Sequence, residues 1–407
     1  MQILFVTTSL PVPSDNGRAI RSLSIVQALR GIGHELSFVS FSKKDRPEDL
    51  YPLSAYCRSI DLVAFDMKNL TEQSDYLRRL KCLLSLKSYS VERFRSEAMR
   101  VRIQEKLIQR EYDLIVCDGM YALTNVPVTK IPIILNCHNI EYTILKRYAE
   151  LERDIATKLY ARLESHLLRS AERNVCYRVA LAMVCSQIDL AAIRSLRMDL
   201  PAYVVPNVVD TDFIHPTQRS SMGSVDPVLL FQGAMDWYPN RDAVEYFTRS
   251  ILPRIRQEYP NARFIVAGRN PPAQFVEQFR LDPLIEFTGT VPDMRPYLAA
   301  ATVVIVPLRV GGGTRIKILE ACAAGRPTVS TTLGAEGLSL EAGKEIILAD
   351  EPTEFACSVV KLLRDPDLRD AIARPARSAV VERYSQLALK KALEELLSNL
   401  QLGKVLN

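Results

Sequence analysis

A chain of 407 residues, 48% of them apolar, is long enough for two α/β domains of ordinary size, each with its own core. The 52 basic and 47 acidic residues leave a net charge of +5. That admits acidic ligands or an anionic surface, and with no aromatic-basic pattern for bases it argues against nucleic acid. Eight cysteines occur singly, without a CxxC pair, and read as free thiols of a reducing compartment. No apolar stretch reaches the roughly 18 residues of a spanning helix, and no signal peptide is expected before the first strand.

The first half alternates strand and helix. Ile3-Leu4-Phe5-Val6 predicts a buried strand. Pro11 and Pro13 bar helix from the loop behind it, and Asn16 is the expected cap of a helix opening at Gly17 and running to about Gly31. Gly17 thus lies beyond a strand end, where α/β sheets place ligands. A second strand is expected over 35–41. Residues 76–110 read as one basic helical region, with Leu77, Leu80, Leu83, Leu84 and Leu86 beside Arg78, Arg79, Lys81 and Lys87. That pattern suits a solvated face with its other side in the core, or a contact with an anionic membrane or a phosphorylated lipid acceptor. Strands follow over 113–117 and 131–136. The second leads to His138, whose place beyond a strand end favours a functional role over a structural one. One long helix over 141–178, a strand over 180–185 and a helix over 187–196 capped by Ser186 complete this half.

A polar linker is expected over 214–226. Asp210-Thr211-Asp212 just before it is formally a DxD, but no nucleotide-binding strand–helix unit surrounds it and metal binding is not expected there. Strands over 228–232, 263–267, 285–288, 303–306, 328–331 and 346–348 alternate with helices over 241–259 and 294–301, and a last helix covers 387–400. This rhythm forecasts a doubly wound parallel sheet. Its most informative stretch is Gly311-Gly312-Gly313-Thr314-Arg315-Ile316-Lys317-Ile318-Leu319-Glu320-Ala321. Three glycines turn the backbone sharply after a strand and let it approach a ligand closely. The helix that follows points unbonded N–H groups and its dipole at negative charge. Arg315 and Lys317 add two cations, and Glu320 adds a carboxylate suited to the hydroxyls of a ribose. A ligand with phosphates at one end and a diol at the other is a nucleotide.

Gly311 to Thr331 resembles the nucleotide-sugar signature of GT-B glycosyltransferases, in particular the large retaining group called family 4. Many members carry a second glutamate eight positions before the one matching Glu320, where this chain has Gly312. Pro206-Asn207-Val208-Val209-Asp210 is similar to the family's PNGVD segment, with Val208 for glycine. Phe287 to Pro292 resembles the segment whose backbone reads the base, which puts Val291 at the donor. The resemblance implies two Rossmann-like doubly wound parallel-sheet domains facing across a cleft. Residues 1–205 would be the acceptor side, 206–385 the donor side, and 386–407 a final helix returning to the first domain. It implies that Gly17 amides face the donor diphosphate, that His138 contacts the donor sugar or acceptor, and that Arg241 supplies the cation found early in the helix after the first strand of the second domain. His138, Arg315 and Lys317 are then the catalytic candidates. Gly17, Arg241, Gly312, Gly313, Thr314, Glu320 and Val291 are the donor-binding ones.

The implied activity is retaining transfer of a sugar from a nucleoside-diphosphate sugar to an acceptor hydroxyl in polysaccharide or glycolipid assembly of the cell envelope. The acceptor would be a carbohydrate or lipid-linked, with no metal or cofactor and no nucleic acid. The enzyme would be cytoplasmic, with a peripheral membrane contact through 76–110 as one option. Two alternatives share the architecture: a nucleotide-sugar 2-epimerase, which needs no acceptor, and a non-catalytic nucleotide-sugar binder, which the Gly312 departure admits.

Overall fold

Runs apolar on both faces build the central strands, as a parallel sheet covered by helices on each side requires. In the computed structural model, which describes residues 1–14, 16–42, 50–65, 72–152, 154–217 and 226–401, the chain divides into two compact units. Met1–Pro206 with the last helix from Leu389 onward is one, and Asn207–Ala388 is the other. Part of the expected linker, 218–225, and the tail 402–407 lie outside the described residues.

Among the described residues the first unit holds seven parallel strands: β1 (Gln2–Thr7), β2 (Glu35–Ser42), β3 (Ser59–Ala64), β4 (Leu114–Asp118), β5 (Ile133–Asn136), β6 (Leu181–Val184) and β7 (Ala202–Val204). Their spatial order is β3-β2-β1-β4-β5-β6-β7. The edge strands β3 and β7 escaped sequence reading because both are partly exposed and lack an apolar run. The winding reverses between β1 and β4, which pair from Ile3–Leu114 to Thr7–Asp118. Thr7 and Asp118 therefore end side by side at the carboxyl edge. Leu389, Leu393, Leu396, Leu397 and Leu400 of the Gln386–Gln401 helix are buried.

Two helical expectations need correction here. Residues 76–110 form three helices, Glu72–Leu84, Tyr89–Glu92 and Glu97–Gln109. Ser88 and Ser96 stand at the N-caps of the second and third, the latter accepting from Met99 N–H at 3.3 Å. Residues 141–178 form two, Glu141–Leu151 and Ile155–Cys176, because Asp154 caps the second by accepting from Thr157 N–H at 2.8 Å. The Ile155–Cys176 helix ties its neighbours in place with two buried carboxylates. Glu164 accepts from Ser88 Oγ at 2.6 Å and from the amides of Ser90 at 2.9 Å and Tyr89 at 3.3 Å. Glu172 accepts from the amides of Glu141 at 2.9 Å and Tyr142 at 3.1 Å. Each carboxylate thus satisfies N–H groups that begin a different helix.

Among the described residues the second unit holds six parallel strands: β8 (Val228–Gln232), β9 (Arg263–Ala267), β10 (Ile285–Gly289), β11 (Val303–Val306), β12 (Thr328–Ser330) and β13 (Ile347–Leu348). The order β10-β9-β8-β11-β12-β13 reverses between β8 and β11. The helix expected from Arg241 starts earlier, at Tyr238, because Pro239 fits a first turn where its missing N–H costs nothing. It widens to a π-turn over Phe247–Ile251 before the Leu252–Arg256 helix. Pro253 lacks the N–H that would continue the α ladder there. Phe247 packs against Phe264 and Phe355, with ring centroids at 4.7 and 6.2 Å.

Glu164→Ala leaves three donors at a buried helix start unsatisfied. It should cost about 1–3 kcal/mol in urea unfolding, whereas Glu245→Ala, which breaks an exposed pair with Arg249, should cost less than about 1 kcal/mol. Equal costs would refute the capping role.

Candidate functional site

At the reversal in the second unit, β8 ends at Gln232 and β11 leads into Gly311–Gly313. Gly311 and Gly313 take φ of 129° and 72°, values that disfavour any residue with a Cβ. The helix Ile316–Ala323 starts directly behind, with Ile316, Ile318, Leu319, Ala321, Cys322 and Ala323 buried. This leaves Lys317 and Glu320 together on the remaining face.

Arg315 is only 8% exposed, and its guanidinium folds back to donate to the carbonyls of Gly312 and Gly313. It therefore clasps its own turn. Lys317 Nζ donates to Asn240 Oδ1 at 2.8 Å and lies 4.1 Å from the centroid of the Phe231 ring. Asn240, not Arg241, is thus the partner of Lys317, while Arg241 donates to Met235 O at 2.7 Å. Backbones crowd closely enough here to require glycine. A Cβ on Gly233 would come within 2.9 Å of Lys317 Nζ, and one on Gly268 within 1.9 Å of Gly233 O. Gln232 Nε2 donates to Lys317 O at 3.1 Å and to Glu320 Oε2 at 2.6 Å, and its buried Oε1 accepts from no described group. Thr314 Oγ1 accepts from Asn207 Nδ2 at 2.8 Å. Val291 follows β10, half-buried.

Burial sets the charge states. It pushes the Lys317 pKa down to about 7, helped by Arg315 and opposed by Glu320. It pushes the Glu320 carboxyl up to about 7, against the pull of Lys317 and the Gln232 hydrogen bond. A ligand anion beside Lys317 would favour its protonated form, and a hydroxyl donating to Glu320 would favour its ionised form.

The reversal in the first unit carries a different cluster. Asp118, 1% exposed, accepts from Thr7 Oγ1 at 2.9 Å and Ser22 Oγ at 2.7 Å on Oδ2, and from Asn136 Nδ2 at 2.6 Å on Oδ1. His138 Nε2 lies 2.8 Å from the same Oδ1. Burial alone would raise the Asp118 pKa, but His138, Arg18 and the Ser22 hydrogen bond outweigh it and hold the carboxylate well below the usual range. For His138 burial is the largest influence and lowers its pKa, with Arg18 and Arg21 adding to the fall and Asp118 opposing it. The imidazole is therefore neutral at pH 7. Gly17 opens the Gly17–Gly31 helix, exposed, behind Asn16, whose Oδ1 accepts from Ala19 N–H at 3.1 Å.

The structure thus brings Gly312, Gly313, Thr314, Arg315, Lys317 and Glu320 to one turn and helix start, and places Gly17 and His138 in the first unit, Arg241 in the helix that begins at Tyr238, next to the Lys317 partner Asn240, and Val291 after β10. Sequence reasoning missed Asp118, Asn136, Arg21, Asn240 and Gln232. The available signal was a polar residue ending an otherwise apolar strand, visible at Asp118, Asn136 and Gln232. Asp210 of the DxD spends Oδ1 on the amides of Asp212 at 3.1 Å and Phe213 at 2.9 Å, a local turn.

Residues 226–365 match the family model described as Glycosyl transferases group 1. An uncharacterized 44.6 kDa protein in the cps region of Klebsiella pneumoniae is 21% identical over 94% of this chain and 96% of its own length. A putative colanic acid biosynthesis glycosyltransferase, WcaL of Salmonella typhimurium, is 27% identical over 31% of this chain and 33% of its own. Among solved structures, Anabaena HepE in complex with UDP and glucose shares the fold with a TM-score of 0.69 at 16% identity, covering 98% of this chain and 100% of that one. The chain has the GT-B fold, and residues 226–365 of its second unit carry a group 1 glycosyl transferase domain.

Proposed function

We propose that the second unit binds a nucleoside-diphosphate sugar at Gly311–Glu320, and that the enzyme moves the sugar to an acceptor hydroxyl with retention of configuration. One observation carries this reading. Arg315 is buried and Lys317 partly buried at the reversal point of a parallel sheet, and among the described residues Lys317 makes no ion pair, its ammonium resting on Asn240 with Glu320 acting on it through space. A diphosphate offsets the cost of burying that charge. When the nucleoside diphosphate departs, negative charge grows on its bridging oxygen, where Lys317 and the amides of the helix start stabilise it. Arg315 adds charge while holding the glycine turn. Glu320, oriented by Gln232, accepts from ribose hydroxyls, and the backbone near Val291 meets the base. The Gly17 amides and His138 act on the diphosphate and on the sugar or acceptor, respectively. Charge neutralisation comes from the protein, so no metal is required.

The HepE complex supports a uridine nucleotide, and the WcaL likeness supports an envelope polysaccharide as the setting. A cytoplasmic enzyme resting on an anionic membrane is supported by exposed Leu77, Leu80, Leu84 and Leu86 beside exposed Lys81 and Lys87. Exposed Ile155, Leu159 and Leu163 recur at one-turn spacing on the Ile155–Cys176 helix. Arg78 and Arg79 are partly turned inward, donating to Glu92 O and stacking over Tyr89. No helix among the described residues is long and apolar enough to cross a membrane.

Thermal-shift screening with UDP, GDP and ADP should single out one nucleotide. For that nucleotide, Lys317→Met should lower turnover by about 10²-fold and weaken binding, while His138→Ala keeps the affinity and loses transfer. Unchanged binding by Lys317→Met would refute the donor site, and an epimer formed from donor alone would favour the isomerase. Calorimetry in buffers of different ionisation enthalpy tests the charge states. Binding should take up protons on the alkaline side of about 7, where Lys317 is neutral, and release them on the acid side, where Glu320 is protonated. Lys317→Met should lose the uptake alone. Co-sedimentation with phosphatidylglycerol vesicles should exceed that with phosphatidylcholine and fall in Leu77→Asp/Leu84→Asp, and equal binding to both lipids would refute the membrane contact.

A further inference from the structure

The tautomer of His138 follows from a chain of donors that starts on the Gly17–Gly31 helix. Arg21 is 2% exposed and can only donate. Its Nη1 donates to Val205 O at 2.7 Å and its Nε to the side chain of Asn136 at 2.9 Å, so Asn136 must present Oδ1 to Arg21. That orientation turns Asn136 Nδ2 toward Asp118 Oδ1, which must then accept. Thr7 and Ser22 occupy Oδ2. An ionised carboxylate offers about four acceptor positions, and the fourth contact is His138 Nε2 at 2.8 Å.

We propose that Asp118 is the positioning residue for His138. By accepting from Nε2–H it fixes the ring as that tautomer and leaves Nδ1 as the acceptor for a hydroxyl of the transferred sugar or of the sugar acceptor. This rests on the reading of His138 given above. Arg21 and Asn136 belong to the same device, since they aim the carboxylate oxygen. Arg18 of the helix start and Arg21 both oppose a charge on the ring, and Glu141, 3.9 Å from Arg18, and Glu172 line the same cavity as His138.

Protein labelled with ¹⁵N-histidine tests the assignment without substrate. His138, identified among the four histidines by its loss in His138→Gln, should show a protonated Nε2 and a bare Nδ1 at neutral pH. A proton on Nδ1 would overturn the proposal. Asp118→Asn keeps an acceptor for Asn136 and so preserves the fold, but it removes the charge that favours imidazolium. The His138 titration and the acid limb of kcat/KM should both move down by about one pH unit, with kcat falling about tenfold and KM little changed. A purely structural Asp118 would leave both midpoints where they are, and that result would also overturn the proposal. Full transfer by His138→Ala would overturn the catalytic reading itself, and the substrate-free tautomer measurement tells that failure apart from a failure of Asp118.

Discussion

Winding that reverses in the middle of a parallel sheet leaves the carboxyl ends of two strands without a crossover helix above them. Both units obey this constraint, at β1/β4 and at β8/β11. Backbone groups and polar side chains at those ends must find partners other than a packed helix. In the first unit the partners are side chains of the Gly17–Gly31 helix, which send Arg21 and Ser22 into Asn136 and Asp118. In the second they are Gln232, Asn240 and the ring of Phe231, gathered around Lys317.

The two solutions differ in charge. Around Asp118 one carboxylate is surrounded by donors, and its neighbour His138 is neutral. That cluster is electrostatically closed, and its hydrogen bonds give it rigidity. Around Lys317 the balance is open. The ammonium has an amide oxygen and an aromatic face as partners, and Arg315 adds a second positive charge nearby. Such a site is costly without an anion, and that cost is the physical basis of the proposal that it receives a diphosphate.

Glycine serves this arrangement by absence of a side chain. Gly233 and Gly268 approach each other and Lys317 too closely for a Cβ, while Gly311 and Gly313 adopt φ values that L-residues avoid. The turn is then locked by the Arg315 guanidinium on its own carbonyls. The residue read from sequence as a phosphate cation thus serves, in the structure, as a clasp on its own turn.

The sequence by itself determined the class of fold, most of the strands and the composition of the glycine turn at Gly311–Gly313, because these features are local. An apolar run, a proline or a glycine cluster acts on its own neighbours. It also placed His138 just past a strand end, where the structure has it. Only the tertiary structure decided the edge strands, the breaks within 76–110 and 141–178, and every partner of the site. Lys317 meets a residue 77 positions away, Glu320 one 88 away, and Arg21 one 115 away. Those pairings depend on strand order and on which polar side chain ends each strand. Local propensity carries no information about either, because the free energy that fixes them comes from burying whole sheets between helices.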